Sequence, residues 1–184
     1  MRLFHFSEEP HIAVFAPRPV AIPSQRPPGL DWLNGPLVWA IDEAHAFLYL
    51  LPRDCPRILI WATDRTTAED RRDWLADATI VAFIETAWLD RLRGASICRY
   101  TLPSATFEDL NDAGMWVSRT EVRPLAVERL EDLPARLSEA GVDLRQMETL
   151  TPLRDIWSTS LHASGVRLRN ALGWPAPGYC GRSA

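Results

Sequence analysis

Polar and hydrophobic positions alternate from the first residues of the chain. In residues 2–7, Phe4 and Phe6 share one face, while His5 and Ser7 share the other. A period of two is typical of a β-strand whose faces meet different environments. We therefore predict a first strand that turns His5 away from the two phenylalanines.

Further along the chain, the apolar positions form short continuous runs bounded by Pro, Gly or charged residues. Runs of this kind are typical of strands that are buried on both faces. Together with shorter alternating segments, they predict strands over 37–41, 57–63, 79–85, 96–102, 112–118, 122–129 and 142–147.

Capping residues mark the helix starts. Asp42, Thr67 and Thr151, the last followed by a proline, each precede a pattern that suits a helix. They predict helices over about 42–51, over 67–76 and from 151 towards Leu168. Shorter helices are predicted over 11–15, 88–92 and 133–140, and the proline-rich stretch 16–36 is predicted to be a long ordered loop.

Helices alternate with strands early in the chain, and strands cluster later. This order predicts an α+β fold with a bent mixed or antiparallel sheet and flanking helices. A doubly wound nucleotide-binding fold is less favoured, because neither GxGxxG nor GxxxxGK[ST] occurs. No linker is visible before the end, so we predict one globular domain over 1–174 and a flexible tail over 175–184.

Composition narrows the function classes. The chain has 184 residues, 47% hydrophobic and 24% charged, with a formal net charge of −4. These values are ordinary for a globular protein, and without a basic run a nucleic-acid partner is not expected. There is no signal-like segment and no apolar run of about 18 residues, so we predict a cytoplasmic, bacterial-type protein without membrane contact.

The reactive side chains form no familiar motif. Three cysteines without a CxxC pair argue against a disulfide framework or zinc site, and the four histidines lack ligand spacing, so no metal is expected. A serine hydrolase is not supported, because there is no GxSxG motif.

One group of residues resembles a known family. In the poly(ADP-ribose) polymerase branch of the ADP-ribosyltransferase-like fold, the first strand carries His-Gly-Ser, a later strand reads Tyr-Phe-Ala, and a second Tyr follows on a helix. Here His5 and Ser7 match the first motif, and Trp39 with the following alanine matches Phe-Ala. Tyr49 falls at the second Tyr, whereas Val38 takes the place of the first.

The resemblance implies an ADP-ribosyltransferase-like fold with a cleft for NAD or a related nucleotide. In that family the His contacts the ribose, the Ser holds the carboxamide and the helix Tyr stacks on nicotinamide. By this likeness His5 and Tyr49 are the catalytic candidates, and Ser7 and Trp39 are cofactor-binding candidates. The other cofactor-binding candidates, on the cleft wall or near phosphate, are Arg18, His45, Trp116 and His162.

The chain departs from the family at one decisive position. The family's catalytic Glu opens a strand that corresponds here to 114–117, and Met115 stands at its place. A thioether accepts hydrogen bonds weakly and cannot offset positive charge in a transition state. The usual transferase route is therefore not expected, and a divergent ADP-ribosyl or phosphate transferase would need another acid or base.

Other readings remain open at this level. For each of four candidates the sequence favours a structural role: a packed core histidine for His5, an exposed loop arginine for Arg18, a solvent-facing position for His45 and the polar face of a terminal helix for His162. A non-enzymatic interaction module using the proline-rich loop is the alternative function, and a small hydrolase using His5 and His162 is a third.

The whole chain also resembles a small bacterial family of unknown function, through blocks such as Phe-His-Phe-Ser and Gly-Met-Trp-Val-Ser. The oligomeric state is not indicated.

Overall fold

The computed structural model describes residues 1–23 and 26–174, and the predicted tail over 175–184 lies outside the described residues. The fold is α+β, with two sheets and several short helices. The strands are β1 Leu3–Ser7, β2 Val38–Asp42, β3 Arg57–Trp61, β4 Ile80–Glu85, β5 Ile97–Leu102, β6 Phe107–Asp109, β7 Met115–Ser118, β8 Ala126–Leu130, β9 Val142–Met147 and β10 His162–Val166.

The helices are short. The α-helices are α1 Ala68–Asp70, which continues as a π-helix over Arg71–Leu75, α2 Leu89–Gly94 and α3 Leu133–Glu139. The 3₁₀ segments are Asp31–Asn34, Ala46–Tyr49, Thr86–Trp88, Thr151–Leu153, Ile156–Ser158 and Leu168–Asn170. None of the helices in the described part of the chain has the length and apolar character needed to cross a membrane.

The chain divides into two compact units. The first comprises Met1–Arg53 and Ser96–Glu131, and the second comprises Asp54–Ala95 with the described residues from Asp132 onward. The prediction of one domain over 1–174 stays a prediction, because this division does not show whether the two units fold together.

An antiparallel sheet of six strands, in the order β6-β7-β2-β1-β5-β8, forms the first unit. Alternate residues of its strands face one apolar cluster, which contains Leu3, Val38, Ala40, Cys98, Tyr100 and Leu102. The buried Tyr100 hydroxyl donates to the Glu9 carbonyl and accepts from the Ile12 amide. These bonds hold the segment after β1 in an extended path that ends in a bridge between Phe15 and Val122. The predicted helix over 11–15 is therefore wrong.

A four-stranded mixed sheet in the order β10-β3-β4-β9 forms the second unit, with β4 and β9 parallel. Its central strands are buried on both faces, as their continuous apolar runs predict. The helix predicted from 151 towards Leu168 is wrong. Two 3₁₀ turns occupy its first half, and β10 pairs with β3, from His162 opposite Trp61 to Val166 opposite Arg57.

Candidate functional site

Strands β1 and β2 pair at one end only. Leu3 lies opposite Asp42 and Phe4 opposite Ile41. Beyond this point β1 stays paired with β5, while β2 stays paired with β7. The two neighbouring strands therefore part in the middle of the sheet, and side chains from both line the gap between them.

His5 bridges the gap. Its Nδ1 lies 2.8 Å from the carbonyl oxygen of Trp39, and its ring packs 4.7 Å from the ring of Phe15. A carbonyl oxygen only accepts hydrogen bonds, so Nδ1 carries the proton and donates. In the neutral ring this leaves Nε2 as the acceptor.

The surroundings keep the imidazole of His5 uncharged. Burial lowers the pKa of His5 below its ordinary value, and the positive charges of Arg18 and Arg53 lower it further, against the opposing effect of the bond to Trp39. At neutral pH the ring is a fixed hydrogen-bonding group rather than a cation.

A small cavity of about 60 Å³ occupies the gap. Pockets for drug-sized ligands are typically about 300–1,000 Å³, so this cavity suits one small group rather than a whole dinucleotide. Its walls are mainly aromatic and aliphatic, and they are formed by Phe4, His5, Phe6, Trp39, Ala40, Ile41, Tyr49 and Met115.

Tyr49 closes one side of the cavity. Its ring stacks on Phe6, with centroids 5.9 Å apart and planes inclined by 15°. Its hydroxyl donates to the sulfur of Met115 at 3.5 Å. The helix predicted over 42–51 is wrong, since Asp42 ends β2 and Tyr49 sits in the short 3₁₀ segment Ala46–Tyr49. His5, Tyr49 and Met115 nevertheless line the same cavity.

Asp42 and His45 form a pair next to Met115. The Oδ1 atom of Asp42 accepts from the backbone amide of His45 and from its Nδ1, both at 2.8 Å. The pair packs over Gly114, whose φ of +71° suits glycine. A Cβ added there would lie 2.5 Å from Asp42 Oδ1 and still closer to His45 Nδ1. His45 is not among the residues that line the cavity.

Trp39 has a second neighbour, Arg26. The guanidinium carbon of Arg26 lies 5.8 Å from the centroid of the Trp39 ring. Two buried nitrogens, Nε of Arg26 and Nε1 of Trp39, have no hydrogen-bond partner within the described residues. A buried N–H without an acceptor costs roughly 1–3 kcal/mol, so two at one place call for an explanation.

Two predicted site residues on the same sheet have other contacts. Ser7 is buried, and its hydroxyl accepts from the backbone amide of Glu9 at 3.1 Å, so it shapes the turn after β1. Trp116 packs against the apolar cluster that contains Leu3 and Tyr100. Neither side chain lines the cavity.

The remaining two cofactor-binding candidates lie elsewhere. The backbone of Arg18 bridges to Leu37, and its exposed side chain acts on His5 through its charge. His162 belongs to the second unit, where it opens β10 and stacks on Trp61 with centroids 4.2 Å apart. It stands on a strand and not on the polar face of a terminal helix.

The thiols and potential metal ligands add little chemistry. Cys55 and Cys98 are buried, and burial raises the pKa of Cys55 to about 11, which makes it a poor nucleophile at neutral pH. Over residues 1–23 and 26–174, no three side chains of the His, Cys, Asp or Glu type come together as a metal site would require.

Comparison with known proteins identifies a family without an assigned activity. The family of unknown function DUF6886 matches residues 4–171, which is most of the chain. The chain belongs to this family. No curated protein and no solved structure matches it. For this DUF6886 member, the residues of the site are therefore the guide to function.

Sequence reasoning missed part of the cavity wall. Alternation along β1 indicated that His5 faces away from Phe4 and Phe6, and the separate partners of these rings, Phe15 for His5 and Tyr49 for Phe6, agree with it. All three residues still reach the cavity, because it lies between two parted strands rather than on one face. Only the register of β1 against its neighbours reveals this.

Proposed function

We propose that the cavity between β1 and β2 binds the flat ring of a nucleotide of the NAD or ADP-ribose type, in a domain with an ADP-ribosyltransferase-like fold. One observation carries the proposal. His5, Trp39, Tyr49 and Met115, which the family resemblance selects from distant parts of the chain, line a single cavity.

The chemistry of the wall suits such a ligand. Tyr49 and Phe6 present aromatic surfaces at the cavity, and aromatic rings favour stacking with flat heterocycles. His5 has its Nδ1 proton committed to Trp39, so Nε2 is left to accept from a ribose hydroxyl. The small volume restricts the buried part to a ring, and the sugar and phosphates would lie towards Arg18 and Arg53, whose charges already act on His5.

The cavity is suited to binding a ligand, but its wall, over the described residues, does not supply the groups that catalysis needs. Among the described residues that line the cavity, none is a carboxylate, and the sulfur of Met115 is engaged by the Tyr49 hydroxyl. ADP-ribosyl or phosphate transfer would therefore need an acid or base from outside the wall. The Asp42–His45 pair, packed over the residue before Met115, is the group the geometry offers.

Titration calorimetry with NAD, ADP-ribose and nicotinamide tests this function. We expect binding by the wild-type protein and a loss of about tenfold or more in Tyr49→Ala, because one stacking platform disappears. His5→Ala should weaken NAD and leave nicotinamide less affected, since the imidazole is assigned to the ribose. His11→Ala, which changes an exposed histidine of the same unit, is the control.

The absence of heat with all three compounds would overturn the proposal. If His5→Ala bound NAD and nicotinamide more weakly by the same factor, with an unchanged melting temperature, His5 would not contact the ribose. The site for the flat ring would still stand.

The second candidate function is a non-enzymatic interaction module. Ile22 and Leu30, in the proline-rich stretch 16–36, are 51% and 39% exposed. The tryptophans give this function no support, because all eight Trp side chains are at least partly buried. A partner that is lost on Ile22→Ser and Leu30→Ser, with no nucleotide bound by the wild type, would favour this function over the first.

A further inference from the structure

Two unsatisfied donors belong to a cavity-lining residue, Trp39, and to its neighbour Arg26. Nε of Arg26 and Nε1 of Trp39 are buried and lack hydrogen-bond partners among the described residues. They belong to neighbouring side chains, with the guanidinium carbon 5.8 Å from the indole centroid. Trp39 is among the residues that line the cavity, and Arg26 is not.

Both groups can only donate. A guanidinium keeps its charge at every accessible pH, and an indole nitrogen has no acceptor capacity. The missing partner is therefore an acceptor oxygen, and next to a guanidinium an anionic one is favoured.

A second arginine in the same unit shows what is missing. Arg119 lies over the ring of Trp32, with its guanidinium carbon 4.4 Å from the centroid. Its Nε donates to Oε1 of Glu108 at 3.2 Å. Arg26 also lies over a tryptophan, at the longer distance of 5.8 Å from the Trp39 centroid, but its Nε has no carboxylate partner among the described residues as Arg119 has in Glu108.

We propose that Arg26 and the indole N–H of Trp39 form a binding subsite for a phosphate group. A phosphate oxygen would accept from both nitrogens and occupy the place that Glu108 fills at Arg119. The subsite itself stands on the two unsatisfied donors. The further idea, that the same ligand also places a ring in the cavity, rests on the proposed nucleotide-binding function. Trp39 would then contact both the ring and the phosphate of one ligand.

The electrostatic surroundings agree with an anion here. Arg18 and Arg53 lie near enough to His5 for their charges to disfavour its protonation. An anionic group beside Trp39 would meet the field of these arginines as well as the guanidinium of Arg26.

Nuclear magnetic resonance of the indole N–H groups gives a direct test, with inorganic pyrophosphate and nicotinamide as separate probes. Trp39→Phe removes one indole cross-peak and so assigns the Trp39 resonance. We expect pyrophosphate to shift this resonance in the wild-type protein, and Arg26→Gln to weaken the pyrophosphate titration by about tenfold or more, because a charge-assisted bond is lost.

Two controls separate the subsite from a general effect. Arg119→Gln changes an arginine that also lies over a tryptophan but has its own carboxylate, and it should leave the pyrophosphate titration within about twofold of wild type. Nicotinamide affinity should be unchanged in Arg26→Gln, and NAD should lose the same factor as pyrophosphate.

The outcomes are distinguishable. If pyrophosphate binds through Arg26 but nicotinamide and NAD do not bind, the proposed function fails and the subsite stands. If pyrophosphate leaves the Trp39 resonance unmoved, or binds equally to wild type and Arg26→Gln, the subsite is wrong. A fall in melting temperature in Arg26→Gln together with loss of both probes would make Arg26 structural and also overturn the subsite.

Discussion

The imidazole of His5 satisfies a backbone carbonyl at the point where two strands have parted. Its Nδ1 donates to Trp39 of β2, although His5 itself lies on β1. Burial favours the uncharged ring, and the bond to Trp39 fixes which nitrogen carries the proton. The identity of the residue was visible in the sequence, whereas its charge state and tautomer depend on neighbours that are distant along the chain.

The lowered pKa of His5 predicts a pH-dependent loss of stability. The unfolded chain takes up a proton near the ordinary value of 6.5, while the folded state takes it up only at lower pH. Stability is therefore complete above 6.5 and falls as the pH drops from 6.5 towards the folded pKa, by at most about 1.4 kcal/mol per pH unit for one group. Urea unfolding of wild type and His5→Gln at pH 7.5, 6.5 and 5.5 measures this.

The difference between the two proteins in the pH dependence of the free energy of unfolding reports on His5 alone, because all other titrating groups are shared. We expect a flatter pH dependence in His5→Gln. Parallel curves would mean that His5 titrates at its ordinary value and is not held neutral by burial.

Gly114 is the residue that admits the Asp42–His45 pair. In Gly114→Ala the methyl group would meet both side chains, and φ of +71° is itself unfavourable for alanine. We expect a loss of about 2–4 kcal/mol in the free energy of unfolding, measured by urea denaturation. Gly29→Ala, at φ +83° in the same unit and with nothing within 4 Å of the added Cβ, is the matched control. Gly29→Ala should lose only the part of the unfolding free energy that comes from the unfavourable φ. An equal loss in both variants would show that the packing over Gly114 is unimportant.

Among the elements, the buried strands were predicted correctly, whereas three of the predicted helices were wrong. The runs 57–63 and 79–85 are strands β3 and β4, since a continuous apolar stretch is stable when both faces are covered. The predicted helix over 42–51 is wrong although the Asp42 carboxylate accepts from the His45 amide, as an N-cap would, because only the 3₁₀ segment Ala46–Tyr49 follows. Residues 162–166 became a strand because β3 offered a partner, and such pairing outweighs a weak helical preference.

The cap at Thr67 belongs to the elements that were predicted correctly. Its hydroxyl accepts from the Asp70 amide at 3.2 Å and also meets the Ser160 hydroxyl, which itself donates to the Asp70 carboxylate. Thr67→Ala should therefore lower the free energy of unfolding by about 1–2 kcal/mol, measured by urea denaturation. Thr79→Ala, an exposed threonine of the same unit, should change it by less than about 0.5 kcal/mol. Similar values for both variants would mean that the cap is not a stabilising feature.

At the level of the whole molecule, each compact unit is built from two separated stretches of chain. The segment 54–95 of the second unit connects the two stretches of the first. If it unfolded alone, the first unit would have to close a long flexible loop, which costs entropy. We therefore expect one calorimetric transition, with calorimetric and van't Hoff enthalpies that agree. Two resolved transitions would contradict the single-domain prediction and assign separate stabilities to the units.

Local information determined a good part of this protein. The alternation in β1, the continuous apolar runs of β3 and β4 and the cap at Thr67 all follow from side-chain type and spacing, whereas the choice of His5, Tyr49 and Met115 follows from the family resemblance. Such features depend on neighbours within a few positions, where periodicity and capping chemistry act.

The tertiary structure alone decided the site. Four features depend on residues that are distant along the chain: the parting of β1 from β2, the bond from His5 to Trp39, the packing of Asp42 and His45 over Gly114, and the contact of Arg26 with Trp39. A shift of one residue in the register of β1 or β2 would turn the side chain of His5 or Trp39 to the other face, and no local pattern specifies the register between distant strands.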